Sequence, residues 1–356
     1  MISDPFVHTL LEWYPHNKRE LPWRNTKNPY IIWLSEIILQ QTRVAQGLPY
    51  FENFLENFPN VEDLANAHEE TVMRLWQGLG YYSRARNLHN CAKDIRDIHG
   101  GVFPGNYQSL LQLKGVGSYT AAAIASFAFD EPVAVVDGNV FRVLARYFGI
   151  STDIAGNSGK KEFEALANTL IPKARPAEFN QAIMEFGALQ CVPKNPDCAN
   201  CPMRLGCFAF KNDLVDSLPV KINKLKIKER YFRYAFIICD HEVVVRRRGE
   251  GDIWQGLYDF PMEELSGQNE NQDQPGFLGG IGEFMTISVP EPKKWYKHIL
   301  THQRIFANFV SVTVPKENRT TLHAWTERNG FQLVSLEKLE QLGKPRLILK
   351  FLEDQK

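Results

Sequence analysis

The sequence predicts a two-domain protein in which an all-α domain is followed by an α+β domain. A chain of 356 residues is longer than one ordinary hydrophobic core requires. Near residue 213 the apolar spacing changes from a helical period to the alternation that is typical of strands. Four of the six cysteines lie between Cys191 and Cys207, directly before this change. We therefore place the first domain at residues 1–212, a linker at 213–230 and the second domain at 231–356.

The predicted elements follow from these two periods and from Gly and Pro breaks between them. The clearest helical patterns of the first domain are Tyr30–Gln41, Val72–Leu79, Ser118–Phe127 and Val140–Phe148. Strands are predicted at Tyr231–Cys239, Glu242–Arg246, Met285–Val289 and Ile305–Val314, a long loop at Leu265–Gly282, and closing helices at Ser335–Leu342 and Arg346–Leu352. The linker combines several basic residues with few large apolar ones.

The overall charge gives no indication of a nucleic-acid partner, and the hydropathy gives no indication of a membrane segment. Basic and acidic residues number 41 each, so no global positive field draws the chain to nucleic acid. Any such contact must arise from local geometry. No apolar run approaches the ~20 residues that span a bilayer, and Met1–Leu11 lacks a signal-peptide pattern. We expect an intracellular protein without a membrane partner.

The cysteine cluster reads Cys191-x6-Cys198-x2-Cys201-x5-Cys207, with three prolines between the cysteines. Thiolates this close on a stiff loop can converge on one metal centre. Either a structural zinc ion or an iron–sulfur cluster fits four thiolates. Cys91 and Cys239 each stand alone among apolar residues and are predicted to be core residues.

A glycine-rich turn lies within Leu113–Ala121. Gly115 and Gly117 allow a tight turn and a close approach to a ligand. The next helix begins there, and its N-terminal N–H groups suit a phosphate. Such a pair of glycines is by itself more often a plain turn.

Asp137 lies in the segment Val135–Val140, immediately before a helical pattern. An aspartate at this position is predicted to cap the helix. The N–H donors of the cap would hold the carboxylate rigid and ionised. A carboxylate held in this way would be suited to stabilising a transient cation.

Glu36 lies in an apolar stretch, Trp33–Thr42. Burial disfavours the charged form, so its pKa is expected to rise from ~4.3 toward neutrality. A carboxylic acid still protonated near pH 7 can act as a general acid. The alternative is a buried glutamate that is paired with Arg24 or another cation.

Together these motifs resemble the endonuclease III, or helix-hairpin-helix, superfamily of DNA glycosylases, whose [4Fe–4S] loop has the same 6-2-5 cysteine spacing. Four further segments closely resemble the adenine DNA glycosylase family (MutY type): Leu21–Arg24, Trp33–Thr42, Gly78–Leu88 and Phe179–Ala182. The resemblance spans the first 210 residues. It implies a helix-hairpin-helix core in which Cys191, Cys198, Cys201 and Cys207 hold a [4Fe–4S] cluster.

The resemblance also implies roles for individual residues. Glu36 would protonate the base and Asp137 would stabilise the sugar cation, with Tyr119 and Asn139 positioning or screening it. Tyr119 stands where strand-cleaving relatives carry a nucleophilic lysine, which implies a monofunctional enzyme. The flipped adenine would occupy a pocket of Trp23, Arg24, Leu39 and Gln181. The implied DNA contacts are Gln41 and Tyr81, which fill and wedge the base stack, with Thr42, Gly115 and Gly117.

The segment Arg246–Pro261 resembles the Nudix-like C-terminal domain of the same family. A Nudix hydrolase needs a glutamate-rich box for divalent metal, and this chain has only Glu263 and Glu264. The domain is therefore interpreted as a binding module. The family's recognition loop usually reads Phe-Ser-His, and here it reads Leu-Thr-His, with Thr301 and His302 implied to contact 8-oxoguanine. Alternatively, His298 and His302 merely line a loop.

The predicted function is hydrolysis of the N-glycosidic bond of adenine opposite 8-oxoguanine or guanine in duplex DNA. The resemblance further implies the cytoplasm of a bacterium, close to the nucleoid. A monomer is expected because a single lesion offers no two-fold symmetry. Two alternatives remain, a thymine or uracil mismatch glycosylase of the same fold and a non-enzymatic iron–sulfur protein that binds DNA.

Overall fold

The computed structural model describes residues 4–222, 227–268, 275–278, 285–288 and 294–355. The chain divides into two compact units. The first unit combines Met1–Asn66 with Asn87–Lys224, and the second combines Ala67–Arg86 with Leu225–Lys356. The segment Ala67–Arg86 therefore belongs with the C-terminal part of the chain, whereas the sequence placed it in the first domain.

Helices dominate the first 212 residues, as predicted. In chain order they are α1 (Pro5–Asn17), α2 (Pro29–Leu39), α3 (Val44–Asn57), α4 (Val61–Asn66), α5 (Glu69–Leu75), α6 (Ser83–His99), α7 (Tyr107–Leu110), α8 (Ser118–Phe129), α9 (Gly138–Phe148), α10 (Asn157–Leu170), α11 (Pro176–Leu189) and α12 (Phe208–Lys211). The pattern predicted at Val72–Leu79 ends earlier, at Leu75, because Gly78 and Gly80 adopt positive φ angles of 105° and 75°.

Two central helices position the site of the first unit. α2 is buried along almost its whole length, from Tyr30 to Ile38, and packs against α3 and α8. α11 packs against α1, α8 and α9. Its apolar face joins a core that includes Leu10, Leu144 and Phe163. Polar side chains on α2, α9 and α11 are therefore held by rigid, buried elements.

The second unit contains a mixed sheet. Its strands are β1 (Lys228–Cys239), β2 (Glu242–Arg247), β3 (Tyr258–Asp259), β4 (Met262–Leu265), β5 (Thr286–Ser288), β6 (Tyr296–Ile299), β7 (Gln303–Thr313) and β8 (Gln332–Ser335). The order is β3-β2-β1-β7-β5, with β4 on β1, β6 on β7 and β8 on β2. The long central strands β1 and β7 run parallel, and every other pair is antiparallel.

Three helices complete the second unit: α13 (Arg319–Arg328), α14 (Leu336–Gln341) and α15 (Arg346–Glu353). The stacked rings of Phe309 on β7 and Phe351 on α15, 3.9 Å apart, join sheet and helix. These elements confirm the α+β class. The sequence missed β3, β4, β6, β8 and α13, because short strands and a mostly polar helix carry little periodic signal. Parts of the predicted loop Leu265–Gly282, namely 269–274 and 279–282, and Val289 lie outside the described residues.

The predicted linker is shorter than expected at both ends. Leu218 is 5% exposed and belongs to the core of the first unit, while the N–H of Ile154 donates to the carbonyl of Val220. At the other end β1 already begins at Lys228, and residues 223–226 lie outside the described part. In the described part of the chain, no helix has the length and apolar character needed to cross a bilayer.

Candidate active site

A cavity of about 190 Å³ opens in the first unit. Its walls bring together every predicted catalytic residue, every predicted adenine-pocket residue and one predicted DNA contact: Trp23, Arg24, Glu36, Leu39, Thr42, Tyr119, Asp137, Asn139 and Gln181. These residues come from segments that are up to 158 positions apart in sequence (181 − 23). Only the tertiary packing of α2, α8, α9 and α11 makes them neighbours.

Glu36 lies on the buried helix α2 and is 7% exposed. Burial raises its pKa to about 7, and the hydrogen bond from Tyr119 and the charge of Asp137 act in opposite directions on that value. The Tyr119 hydroxyl donates to Oε2 of Glu36 at 2.7 Å. The expected rise of the pKa is confirmed. The alternative ion pair with Arg24 is not formed, because Arg24 binds Glu185 instead.

Asp137 is the predicted N-cap of α9. Its Oδ1 accepts from the N–H groups of Asn139 and Val140, both at 2.8 Å, and its Oδ2 accepts from Nδ2 of Asn139 at 2.8 Å. These donors lower the pKa of Asp137, as expected, but burial outweighs them and the net pKa is raised. The cap donors therefore hold the carboxylate in place, as expected, while burial sets the net direction of its pKa shift.

Tyr119 and Asn139 fix the two carboxyl groups. Burial beside Glu36 and Asp137 raises the pKa of Tyr119 well above its usual value, so the hydroxyl stays protonated and remains a donor. Asn139 accepts on its Oδ1 from Nη2 of Arg142 at 2.9 Å. This contact orients the amide so that its Nδ2 faces Asp137.

The sequence did not identify Glu185, which lies on α11 and is 1% exposed. Its carboxylate accepts from Nη2 of Arg24 at 2.6 Å and from Nε and Nη2 of Arg19 at 2.8 and 2.7 Å. These arginines overcome the effect of burial and hold its pKa at about 2. A glutamate inside the apolar run Ile183–Phe186 was the signal that could have revealed it.

Two buried arginines on α9 were also missed. Arg142 donates from Nε to the carbonyl of Cys191 at 2.7 Å and from Nη2 to the carbonyl of Gly187 at 2.6 Å. Arg146 donates to the carbonyls of Val192 and Leu218 at 2.9 and 3.0 Å. Their spacing of four within an apolar helix indicates a shared buried face. The two side chains anchor the cysteine loop to the helix that Asp137 caps.

The four cysteines line one cavity of about 30 Å³. Its other walls include Val143, Phe186 and Met203. Nη1 of Arg146 lies 3.4 Å from Sγ of Cys191, so a cation faces the thiol sulfur. Among the described residues, no three His, Cys, Asp or Glu side chains are arranged to hold a metal ion. The four thiols nevertheless share this one cavity, so all four are available to a single metal centre.

The glycines of the hairpin differ from each other. Gly115 has a φ of +77°, and a Cβ there would lie 2.7 Å from Cβ of Asn87, so glycine is required. Gly117 caps α8 without a side-chain hydrogen bond, and nothing lies within 4 Å of an added Cβ. The steric need for glycine therefore applies to Gly115 alone, and the space at Gly117 is open to a ligand.

The remaining predicted DNA contacts are exposed. Gln41 follows α2 in the left-handed region, with a φ of 55°. In the second unit, Tyr81 is 44% exposed, and its hydroxyl contacts the hydroxyl of the exposed Thr301. His302 is exposed next to Thr301, whereas His298 is half-buried with its ring 5.5 Å from Trp254. The structure thus joins two residues that the sequence had identified separately.

Gly187 on α11 provides a prediction about Asn139, which the sequence assigned to the catalytic site. An added Cβ would lie 2.7 Å from Cβ and 2.9 Å from the carbonyl oxygen of Asn139. Gly187→Ala is therefore expected to displace Asn139, to cost about 1–3 kcal/mol of unfolding free energy and to slow catalysis. Gly105→Ala, where only the Phe129 ring lies at 3.9 Å, is the matched control. Denaturant unfolding and single-turnover rates equal to wild type in G187A would contradict this packing argument.

The comparisons with known proteins agree with this geometry. Residues 34–173 match the family described as HhH-GPD superfamily base excision DNA repair protein, and residues 233–354 match the NUDIX domain. A thermostable thymine-DNA glycosylase structure superposes with a TM-score of 0.53 and 32% identity over 58% of this chain and 95% of that one. An endonuclease III–DNA complex, at 22% identity and a TM-score of 0.51, shares the fold. Fold and site together define a DNA N-glycosylase.

Relatives that align with both domains of this chain identify its family within the DNA N-glycosylases. The adenine DNA glycosylase of Buchnera aphidicola subsp. Baizongia pistaciae is 33% identical over 93% of both chains, and that of subsp. Schizaphis graminum is 37% identical over 98% of both. The adenine DNA glycosylase of Mus musculus is 44% identical over 82% of this chain and 62% of its own. The chain belongs to the adenine DNA glycosylase family.

Proposed function

We propose that this protein hydrolyses the N-glycosidic bond of adenine that is mispaired with 8-oxoguanine or guanine in duplex DNA. The observation that carries the proposal is the pairing of Glu36 and Asp137 in one cavity. One carboxyl has a pKa of about 7, and the other is fixed by three donors. Two carboxyl groups in different environments suit one acid and one cation stabiliser.

In the proposed reaction, the extruded adenine enters the cavity beside Trp23 and Arg24. Because Tyr119 occupies Oε2 of Glu36, Oε1 is the oxygen that carries the proton to N7 of adenine. The glycosidic bond breaks, its electron pair leaves with the protonated base, and positive charge develops at C1′. Asp137 stabilises this charge. Water then adds its hydroxyl group to C1′, with or without a covalent link to Asp137, and its remaining proton passes to the Glu36 carboxylate and restores the acid.

The position of Tyr119 supports a monofunctional enzyme. A phenol cannot form the Schiff base through which lyases break the DNA backbone. The raised pKa of Tyr119 also keeps it protonated. The product is therefore an intact strand with an abasic site.

We further propose that Cys191, Cys198, Cys201 and Cys207 hold a [4Fe–4S] cluster. One zinc ion would draw all four sulfurs to about 2.3 Å from a single point, whereas each cysteine of a cluster ligates its own iron. The four cysteines line one cavity of about 30 Å³ in the first unit. When bound, the cluster would crosslink the loop. Iron and sulfide analysis of the purified protein tests this assignment, and stoichiometric zinc would contradict it.

The second unit is proposed to read the base opposite adenine and not to hydrolyse nucleotides. Both glutamates that could serve a Nudix metal site are engaged elsewhere. Glu264 pairs with Arg230 at 2.6 Å, and Glu263 accepts from the N–H of Gly276 at 3.2 Å. Thr301 and His302 are exposed and provide a hydroxyl and an imidazole for the 8-oxoguanine edge.

One experiment tests the proposed substrate. Duplexes that contain adenine opposite 8-oxoguanine, adenine opposite guanine, or thymine opposite guanine are incubated with the protein and then treated with alkali. Strand breaks in the two adenine duplexes, and only after alkali, are expected. Breaks in the thymine duplex alone would favour the mismatch glycosylase alternative, and breaks before alkali would contradict the monofunctional assignment.

A further inference from the structure

The loop Gly78–Tyr81, which we call the wedge loop, belongs to the second unit. It joins α5 to α6 and carries the exposed Tyr81. Gly78, Gly80 and Tyr81 all have positive φ angles, of 105°, 75° and 49°. A tyrosine rarely adopts this backbone conformation, so the surrounding contacts must maintain it.

The wedge loop has a fixed internal shape. Nε1 of Trp76 donates to the carbonyl of Gly80 at 3.0 Å, and Nη2 of Arg84 donates to the same carbonyl at 3.2 Å. The Arg84 guanidinium lies 5.0 Å from the Trp76 ring centroid and 5.7 Å from that of Tyr81. Because the loop is rigid within itself, the position of Tyr81 depends on how its two flanks are held.

Both flanks are held by the Nudix-like part of the second unit. We call the following four contacts the clamp: Glu69 Oε1 with Arg247 Nη2 at 3.0 Å, Glu70 Oε1 with the Tyr258 hydroxyl at 2.7 Å, Gln77 Oε1 with the N–H of Lys344 at 2.8 Å, and Arg86 Nη1 with the carbonyl of Gln255 at 2.6 Å. The first three lie before the wedge loop and the fourth lies after it. The loop is thus fastened on both sides.

Close backbone contacts accompany the clamp. Gly256 has a φ of +80°, and a Cβ there would lie 3.5 Å from Oε1 of Glu69 and 3.7 Å from Cε of Met73. A Cβ on Gly343 would lie 3.4 Å from the carbonyl carbon of Met73. Helix α5 therefore lies close to the backbone of the Nudix-like part at Gly256 and Gly343. The polar contacts of the clamp lie around these two close approaches.

We propose that the clamp positions Tyr81 against Thr301, so that its members are positioning residues for recognition of the base opposite adenine. This inference rests on the proposed function. The hydroxyl groups of Tyr81 and Thr301 already meet in the structure, which therefore presents both as one recognition surface. Because the clamp orders the loop before DNA binds, the entropic cost of ordering it does not reduce the free energy of DNA binding. Loosening the clamp should raise the half-saturating DNA concentration and leave the maximal rate unchanged.

The test uses the full-length protein and the double variant Arg247→Gln with Tyr258→Phe. For a duplex with adenine opposite 8-oxoguanine, the half-saturating concentration is expected to rise roughly tenfold, with a maximal single-turnover rate within about twofold of wild type. A 2-aminopurine placed beside 8-oxoguanine should show a smaller fluorescence increase, since a misplaced Tyr81 unstacks it less. Arg319→Gln, which removes a surface ion pair with Glu242 in the same unit, is the matched control.

The outcomes separate the clamp from the proposed function. Wild-type half-saturation and fluorescence in the double variant would overturn the inference. A fall of the maximal rate in parallel with thermal stability would also overturn it, because that pattern indicates a purely structural role. Absence of adenine release by wild type would refute the proposed function, and the fluorescence of the bound duplexes would still decide whether the clamp positions Tyr81.

Discussion

Glu36→Gln is expected to bind mispaired DNA with wild-type affinity and to lose 10²- to 10⁴-fold in single-turnover adenine release. Glutamine keeps the shape of the protonated acid and its contact with Tyr119, but its amide N–H groups are not acidic enough to transfer a proton to N7. The wild-type rate should fall about tenfold per pH unit above pH 7, because the pKa of Glu36 is about 7. The variant's residual rate should lack this dependence.

The same substitution is expected to stabilise the fold. Glu36 has a folded pKa of about 7 against an ordinary value of 4.5, so the folded state binds the proton more tightly. Its contribution is fully present below about pH 4.5 and is lost as the pH rises through 7. Glutamine mimics the protonated form at every pH. The variant's advantage in unfolding free energy should therefore be near zero at pH 4.5 and about 3 kcal/mol at pH 8.

Denaturant unfolding at both pH values measures this effect, and Glu52→Gln on the exposed face of α3 is the matched control. A stabilisation that is the same at pH 4.5 and pH 8 would contradict the prediction, because it would show that Glu36 does not change its protonation state between them. A wild-type excision rate in Glu36→Gln would remove it from the role of general acid.

Arg142→Met is expected to be the most destabilising of these substitutions. Methionine fills the aliphatic part of the site but leaves three oxygen acceptors without their donor: the carbonyls of Gly187 and Cys191 and Oδ1 of Asn139. Leaving the buried carbonyl of Gly187 unpaired costs about 1–3 kcal/mol and the two part-buried acceptors add to it, so a loss of about 3 kcal/mol is expected. Arg142 is only 8% exposed, so little solvent is available to replace the lost contacts.

Catalysis should fall with Arg142→Met by more than stability alone explains. Asn139 loses its orienting donor, and a displaced Asn139 no longer holds Oδ2 of Asp137. A misplacement of about 1 Å can cost about 100-fold in rate. The control is Arg204→Met on the cysteine loop, an exposed arginine that donates to the carbonyl of Ala199 at 2.8 Å. Unfolding curves and single-turnover rates that match between the two variants would contradict this account.

The side chains that we propose to be catalytic could be selected from the sequence because each lies in a distinctive local environment. Asp137 precedes an apolar helix and Glu36 interrupts one, and both environments follow from a few neighbours in sequence. The balance at Asp137 was not predictable, since its burial depends on packing with distant helices. The role of Glu185 could not be predicted either, because its partners Arg19 and Arg24 are more than 160 positions away in the sequence.

By itself the sequence determined the two fold classes, the spacing of the four-cysteine loop and the local environments of Glu36 and Asp137. The hydrophobic period, the helix caps and the cysteine spacing depend only on residues that are close in sequence, so they can be identified without the tertiary structure. Tertiary structure alone decided that Ala67–Arg86 packs with the C-terminal unit and that Tyr81 meets Thr301. These contacts join residues that are 169 to 267 positions apart, so they depend on complementary surfaces and closely approaching glycines that no local pattern records.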